Sequence, residues 1–200
     1  MNAEQFLSGC DPDFAELIER VGPSGLTVSS RSPYEALVRA VAHQQLHGRA
    51  AEAILRRLTG LFPDHDFPPP HLLLDHPEEE LRGCGLSAAK LKAIRDIADK
   101  TLGGLVPDAA AAQIMEDMAL IERLTALRGV GRWTVEMLLI FTLGRPDILP
   151  VDDFGVREGY RKLKRLEVQL KPKALAEIGK AWSPHRSTAA WYLWRAAEFT

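Results

Sequence analysis

The sequence predicts an all-α protein, and three observations carry that prediction. Apolar residues recur at three- and four-residue spacing in segment after segment, as in Tyr34, Leu37, Val38 and Val41, or Leu91, Ile94 and Ile97. No stretch shows the sustained apolar–polar alternation between turns that a half-buried strand requires. Helix punctuation is frequent: Ser32-Pro33-Tyr34-Glu35 and Ser87 read as starts, Gly22-Pro23 and Gly103-Gly104 as stops.

The elements follow in chain order. Residues 11–21 read as a short helix capped by Asp11 or Asp13, with Phe14, Leu17 and Ile18 inward, and Gly22-Pro23-Ser24-Gly25 ends it. The start at Ser32 leads into a helix that buries Tyr34, Leu37, Val38, Val41 and Ala42, until Gln44, Gln45 and His47 interrupt the pattern. Another begins at Arg49, with Ala50, Ala53, Ile54 and Leu58 periodic. Phe62 to Pro70 is a proline-rich loop, and Asp75 to Leu81 a short acidic helix. Ser87 caps a helix reaching about Thr101, followed by an alanine-rich helix from Asp108 to Met118 that leads into the next element. Helices at roughly 154–165, 172–181 and 187–199 complete the chain, and no repeat of solenoid period is present.

Two hundred residues with 46% hydrophobic and 26% charged content suffice for one compact domain or two small helical lobes, and do not fit a disordered chain. No apolar run reaches the length of a membrane span, and the N-terminus lacks a signal pattern. Two cysteines, Cys10 and Cys84, cannot form a four-cysteine cluster and suggest no disulfide framework; a reducing, cytoplasmic setting is expected. The net charge of −2 hides an asymmetry. From Arg157 to Lys173 the basic residues Arg157, Arg161, Lys162, Lys164, Arg165, Lys171 and Lys173 face only Glu158 and Glu167. Such a run is either a solvated helix face or a patch for phosphates.

The stretch around which the chain is organised is Leu124-Thr125-Ala126-Leu127-Arg128-Gly129-Val130-Gly131-Arg132-Trp133-Thr134. It reads as helix, glycine hairpin, helix, with Leu120, Leu124 and Leu127 at helical spacing before the turn. Taken alone, Gly-Val-Gly is either a tight interhelical connection or a turn whose backbone amides hold a phosphate. Further on comes Leu149-Pro150-Val151-Asp152-Asp153-Phe154-Gly155-Val156. A lone Asp-Asp pair after proline most often caps the following helix.

Together, in this order and at this spacing, the two stretches resemble the helix-hairpin-helix DNA glycosylases with a Gly/Pro-rich loop and an aspartate after it, the HhH-GPD superfamily. The resemblance runs from about Ser32 to the end. It implies an N-terminal helical extension at 1–31 packing on the core, and a glycosylase core at 32–200, with its hairpin at 124–143 and its catalytic loop at 148–156. The Asp153-Phe154-Gly155-Val156 run looks like the alkylation-repair branch, the 3-methyladenine DNA glycosylase II or AlkA type. That type carries a β-rich domain before its helical core, for which the residues preceding Ser32 are too few.

By this resemblance Asp153 is the catalytic carboxylate and Asp152 a loop or cap residue. A fixed carboxylate suits the chemistry: cleaving an N-glycosidic bond builds oxocarbenium-like charge on deoxyribose, after the nucleotide has left the stack. Members that also cut the strand carry a lysine where Trp133 stands, so the resemblance implies a monofunctional enzyme. Trp133, Met137 and Trp194 would border the base pocket, an indole face attracting the cationic alkylpurine. Trp133 is equally readable as a core aromatic. Trp182-Ser183-Pro184-His185-Arg186-Ser187 resembles the Trp-x-Pro-x-Arg-Ser segment of the same type.

Gly129, Val130, Gly131, Arg132 and Thr134 are expected to grip DNA. So is the segment Gln44, Gln45 and Leu46, which resembles the part that enters the duplex at the flipped site. Alignment from Arg39-Ala40 puts Gln45 where the type has a leucine wedge, with Leu46 next. Gly85-Leu86-Ser87 with Lys90 is either an ordinary capped helix start or a turn near the DNA backbone. His43 and His47 lack a third ligand nearby and suggest no transition-metal site. The backbone carbonyls of Thr125, Leu127 and Val130 would hold a structural Na+ or K+ by family position, with no cofactor required. The expected partner is double-stranded DNA with alkylated bases, handled by a monomer at the nucleoid. Rival expectations are excision of deaminated or etheno purines on the same scaffold, and a non-enzymatic DNA-binding module.

Overall fold

Helices begin where the chain offers caps. In this computed structural model, which describes residues 1–199, Asn2 and Gln5 form a reciprocal capping box that starts α1 (Ala3–Cys10), a helix the sequence reading overlooked. Asp11 caps α2 (Pro12–Val21) through a 3.0 Å bond to the Asp13 amide, which decides between the two aspartates. Ser32 caps α3 (Pro33–His43) and Ser87 caps α7 (Ala88–Leu102), both as expected. Between them lie α4 (Gly48–Gly60), α5 (Pro70–Asp75) and α6 (Glu78–Gly83). The prolines at 69–70 and 77 set the starts of the last two, so the acidic helix begins later than predicted and α5 lies where a loop was expected to end.

The alanine-rich helix is broken. It divides into α8 (Ala109–Ile114) and α9 (Asp117–Leu124), with Met115 and Glu116 extended between them. Only Ala112 of α8 is buried, whereas the changed direction lets α9 bury Leu120, Ile121 and Leu124. Then come α10 (Arg132–Phe141), α11 (Phe154–Leu163), α12 (Pro172–Gly179), a 3-10 turn at Lys180–Trp182, and α13 (Arg186–Glu198). Among the described residues there is no strand, and the fold is all-α. No helix is long and apolar enough to cross a membrane.

The chain divides into two compact units. One is Ser30–Leu138; there α3, α5 and α6 pack on α7, and Leu37, Val38, Leu73, Leu81, Leu91, Ile94 and Ile97 are buried. The other joins Met1–Ser29 to the segment from Leu139 onward, so α1 and α2 share a core with the C-terminal helices. Leu7, Phe14 and Leu17 pack there with Val156, Tyr160, Trp182 and Leu193. At ~1.5–3 kcal/mol per fully buried large side chain, these anchor α1 and α2 firmly.

Within this second unit α11 and α13 pack together, and their backbones come close at Gly159. A Cβ there would lie 1.8 Å from the Leu193 carbonyl oxygen, so no other residue fits. Part of the basic run around α11 is consumed internally. Lys164 bonds Asp11 at 2.7 Å and Asp13 at 2.5 Å, Arg161 pairs with Glu158, and Lys162 donates to the Ala197 and Phe199 carbonyls that close α13. Neither sequence reading of the run anticipated this: three of its cations fasten the fold.

Candidate active site

In the unit Ser30–Leu138 the hairpin is built from backbone. Helix α9 ends at Thr125, the Val130 amide donates to the Leu127 carbonyl at 3.2 Å, and Gly129 takes the left-handed conformation, φ +74°. There a side chain would be strained and would also crowd Ala93. The Arg128 amide is held by Asp96 at 2.8 Å. The Val135 amide bonds the Gly131 carbonyl at 3.2 Å, so the amides of residues 131–134 precede the first intrahelical bond of α10. Gly131 differs from Gly129. Its φ is not positive and nothing lies within 4 Å of where its Cβ would be, so nothing inside the protein demands glycine.

Val130 and Thr134 are buried. Arg132 is exposed but tied at 2.8 Å to Glu136, whose side chain is 3% exposed. Trp133 is 45% exposed on the first turn of α10, more open than a core aromatic would be; Met137, one turn on, is half-buried.

The segment after α3 is a tight turn. Gln44 (φ −52°, ψ 130°) and Gln45 (φ 57°) occupy its two central positions, and the Leu46 amide closes it on the His43 carbonyl at 3.2 Å. This is type II geometry, whose second central position favours glycine; glutamine there costs about 1–2 kcal/mol. The Gln44 side-chain amide donates to the Gly129 carbonyl at 2.9 Å, joining the turn to the hairpin, while Gln45 and Leu46 are exposed at its tip. Lys90 steadies the end of α3 with a 2.8 Å bond to the Ala42 carbonyl, and burial lowers the pKa of its ammonium. The His43 ring pairs with Glu52 at 3.0 Å. Among the described residues no cluster of His, Cys, Asp and Glu could hold a metal.

The aspartate corner belongs to the other unit. Asp153 caps α11: its Oδ1 accepts the Val156 amide at 2.7 Å, worth about 1 kcal/mol to the helix. The same Oδ1 accepts the Trp194 indole N–H at 2.9 Å. The carboxyl is half-buried, Asp152 beside it is exposed, and Phe154 after it is 68% exposed. Trp194 stacks on Phe141 with centroids 5.7 Å apart and planes at 28°. At Gly155 a Cβ would stand 3.0 Å from Trp194 Cδ1 and 3.1 Å from Asp153 Oδ1. The sequence put Asp153 and Trp194 in one site without showing that they touch; Gly155 and Gly159 carried no role there.

A second set of bonds holds the loop that delivers Asp153. Asp147 accepts from Ser183 Oγ at 2.7 Å and from Arg186 Nε at 2.7 Å. Burial raises the Asp147 pKa, yet the bonds from Arg186 and Ser183 outweigh it and hold the carboxyl below its ordinary range. Ser187, fully buried, accepts the Ile148 amide at 3.0 Å and donates to the Arg145 carbonyl at 2.6 Å. The Trp-Ser-Pro-His-Arg-Ser segment is therefore an anchor: it starts α13 and fixes the loop 145–148.

A glycine hairpin entering a helix and an aspartate capping a later helix define a class, and comparison with known proteins agrees. Residues 38–184 match the HhH-GPD superfamily of base excision DNA repair proteins, and the chain belongs to that family. A DNA-3-methyladenine glycosylase 1 of Schizosaccharomyces pombe is 42% identical over 198 residues, 98% of this chain and 87% of the relative. The solved structure of an S. pombe 3-methyladenine DNA glycosylase in complex with abasic DNA aligns with TM-score 0.90 and 41% identity, covering 100% of this chain and 98% of that one. A DNA-3-methyladenine glycosidase from Bacillus halodurans aligns with TM-score 0.88 and 33% identity, over 99% of this chain and 90% of the other.

Proposed function

We propose that the protein is a monofunctional DNA glycosylase of base excision repair that releases 3-methyladenine, 7-methylguanine and related alkylated purines from double-stranded DNA. The observation that carries this reading is the Asp153 carboxyl, presented at a helix N-terminus with Oδ1 fixed by the Val156 amide and the Trp194 indole. The 42% identity to a 3-methyladenine glycosylase supports the choice of substrate.

The roles follow residue by residue. The damaged nucleotide leaves the stack, and the exposed tip Gln45-Leu46 fills the space it vacates. The half-exposed Trp133 offers its indole face to the cationic purine, with Met137 one turn further along the same helix as a further pocket residue. The glycosidic C–N bond breaks with its electron pair leaving on the base, and the Asp153 carboxylate stabilises the positive sugar. Water then adds to C1′ and loses a proton, yielding an abasic site. Position 133 carries no amine, so the sugar is not attacked covalently and the strand stays intact.

The hairpin amides of residues 129–134 approach a phosphate, a role supported by Gly131, whose missing side chain leaves space open to the outside. The carbonyls of Thr125, Leu127 and Val130 fit a monovalent cation. They are neutral oxygens, those of Thr125 and Leu127 just past the last residue of α9, the negative end of its dipole, although Leu127 shares its oxygen with the Val130 amide. Bound there, Na+ or K+ would add positive charge for a phosphate; replacing K+ by tetramethylammonium at constant ionic strength is expected to weaken DNA binding. A monomer working at the cytoplasmic nucleoid meets all of these requirements.

The test is base release from methylated DNA by wild type and Asp153→Asn. Release by the wild type alone, leaving DNA that nicks only after alkali, is the expected result. Equal release by both proteins would overturn the catalytic assignment. No release by either would favour a binding module, and duplexes with single deaminated or etheno purines decide the lesion range.

A further inference from the structure

We infer that Trp194 acts on the reaction through its indole N–H, as a positioning residue for the Asp153 carboxylate, and that Gly155 is the residue that leaves room for this bond. The inference rests on Asp153 being the reacting carboxylate.

A helix cap needs one acceptor and one amide, and the Val156 bond at 2.7 Å already supplies that pair. The indole N–H at 2.9 Å is a second donor to the same oxygen, from a helix forty-one residues further along the chain. Two donors in different directions on Oδ1 fix the plane of the carboxyl, and with it where Oδ2 points. A carboxylate that must meet a cationic sugar gains from this, because it needs no reorientation.

The indole is in turn fixed. Phe141 covers one of its faces, and Gly155 lies against its Cδ1 edge, where a methyl group would press on Cδ1 and Oδ1 together. Gly155 sits inside the first turn of α11, where glycine weakens a helix relative to alanine. The contact with Trp194 and Asp153 accounts for glycine at this position. The close approach at Gly159 holds α11 against α13 and so keeps the carboxyl and the indole within reach.

The experiment is single-turnover base release from 7-methylguanine DNA over a range of enzyme concentrations, which separates the maximal rate from the half-saturating concentration. Trp194→Phe keeps a ring on Phe141 and removes the N–H. It is expected to lower the maximal rate about tenfold, with the half-saturating concentration within about twofold of wild type. Gly155→Ala leaves the indole in place and is expected to lower the maximal rate in the same way. A wild-type maximal rate in folded Trp194→Phe overturns the inference. So does a raised half-saturating concentration at an unchanged maximal rate, which is what a purely stacking tryptophan gives. Should Trp194→Phe fail to fold, the maximal rate of Gly155→Ala decides. Full activity of Asp153→Asn would instead remove the underlying catalytic reading, and the two failures are told apart by that variant.

Discussion

The hairpin and the aspartate corner are held by opposite means. The hairpin is fixed through main chain: a left-handed Gly129, the Val130–Leu127 turn, and side chains such as Gln44 and Asp96 that bond its carbonyls and amides. The corner is fixed through side chains: the Asp153 carboxyl, the Trp194 indole, and the Asp147–Arg186 and Ser187 bonds upstream. The difference matches what each is proposed to present. A phosphate grip needs several amides in a fixed curve and is indifferent to base sequence. A charge that stabilises a transition state needs one group in one orientation, which main chain cannot supply.

The strongest way to break this comparison is at the corner. Asp153→Asn keeps an acceptor for Val156 and Trp194 but removes the charge, so base release is expected to fall by about a hundredfold or more with affinity for abasic DNA retained. Gly159→Val should be as severe on folding: the Leu193 carbonyl blocks any side chain, and a loss of more than ~3 kcal/mol is expected in thermal unfolding. At the hairpin the effect moves from rate to affinity. Gly131→Val meets nothing in the protein, so its unfolding midpoint should stay near wild type while DNA affinity drops about tenfold or more. Equal affinity in that variant would leave the hairpin as a plain connection.

Smaller effects sharpen the contrast. If the proposed grip is on phosphate, binding should weaken with added salt, whereas the rate of bound complex should not. Arg161 and then Gln169 hold the Glu158 carboxyl down to about 2 from its ordinary 4.5. A depressed carboxylate stabilises the fold above its unfolded pKa and loses that contribution as pH falls from about 4.5 to about 2. Acid unfolding of Glu158→Gln should lack this component.

The sequence disclosed what is local. Helix α7 was read to within a residue or two because Ser87 caps it and two glycines end it. The hairpin and the aspartate loop were legible because their residues are contiguous. The overlooked α1 did have a local signal, the Asn2–Gln5 box. By contrast, the break at Met115 follows from which face finds a core, which spacing in an alanine run does not encode. The pairing of Asp153 with Trp194, the requirement for glycine at 159, and the capture of Lys164 by Asp11 and Asp13 depend on segments distant in sequence. Each residue was visible; its neighbour was not.

The Gly159–Leu193 approach has a consequence for how the enzyme fails. The carboxyl and the indole ride on two rods whose backbones come together at a notch, so neither rod slides along the other without opening the corner. Heat or denaturant should therefore abolish the Asp153–Trp194 bond in one step, and activity should vanish with the structure rather than fade before it.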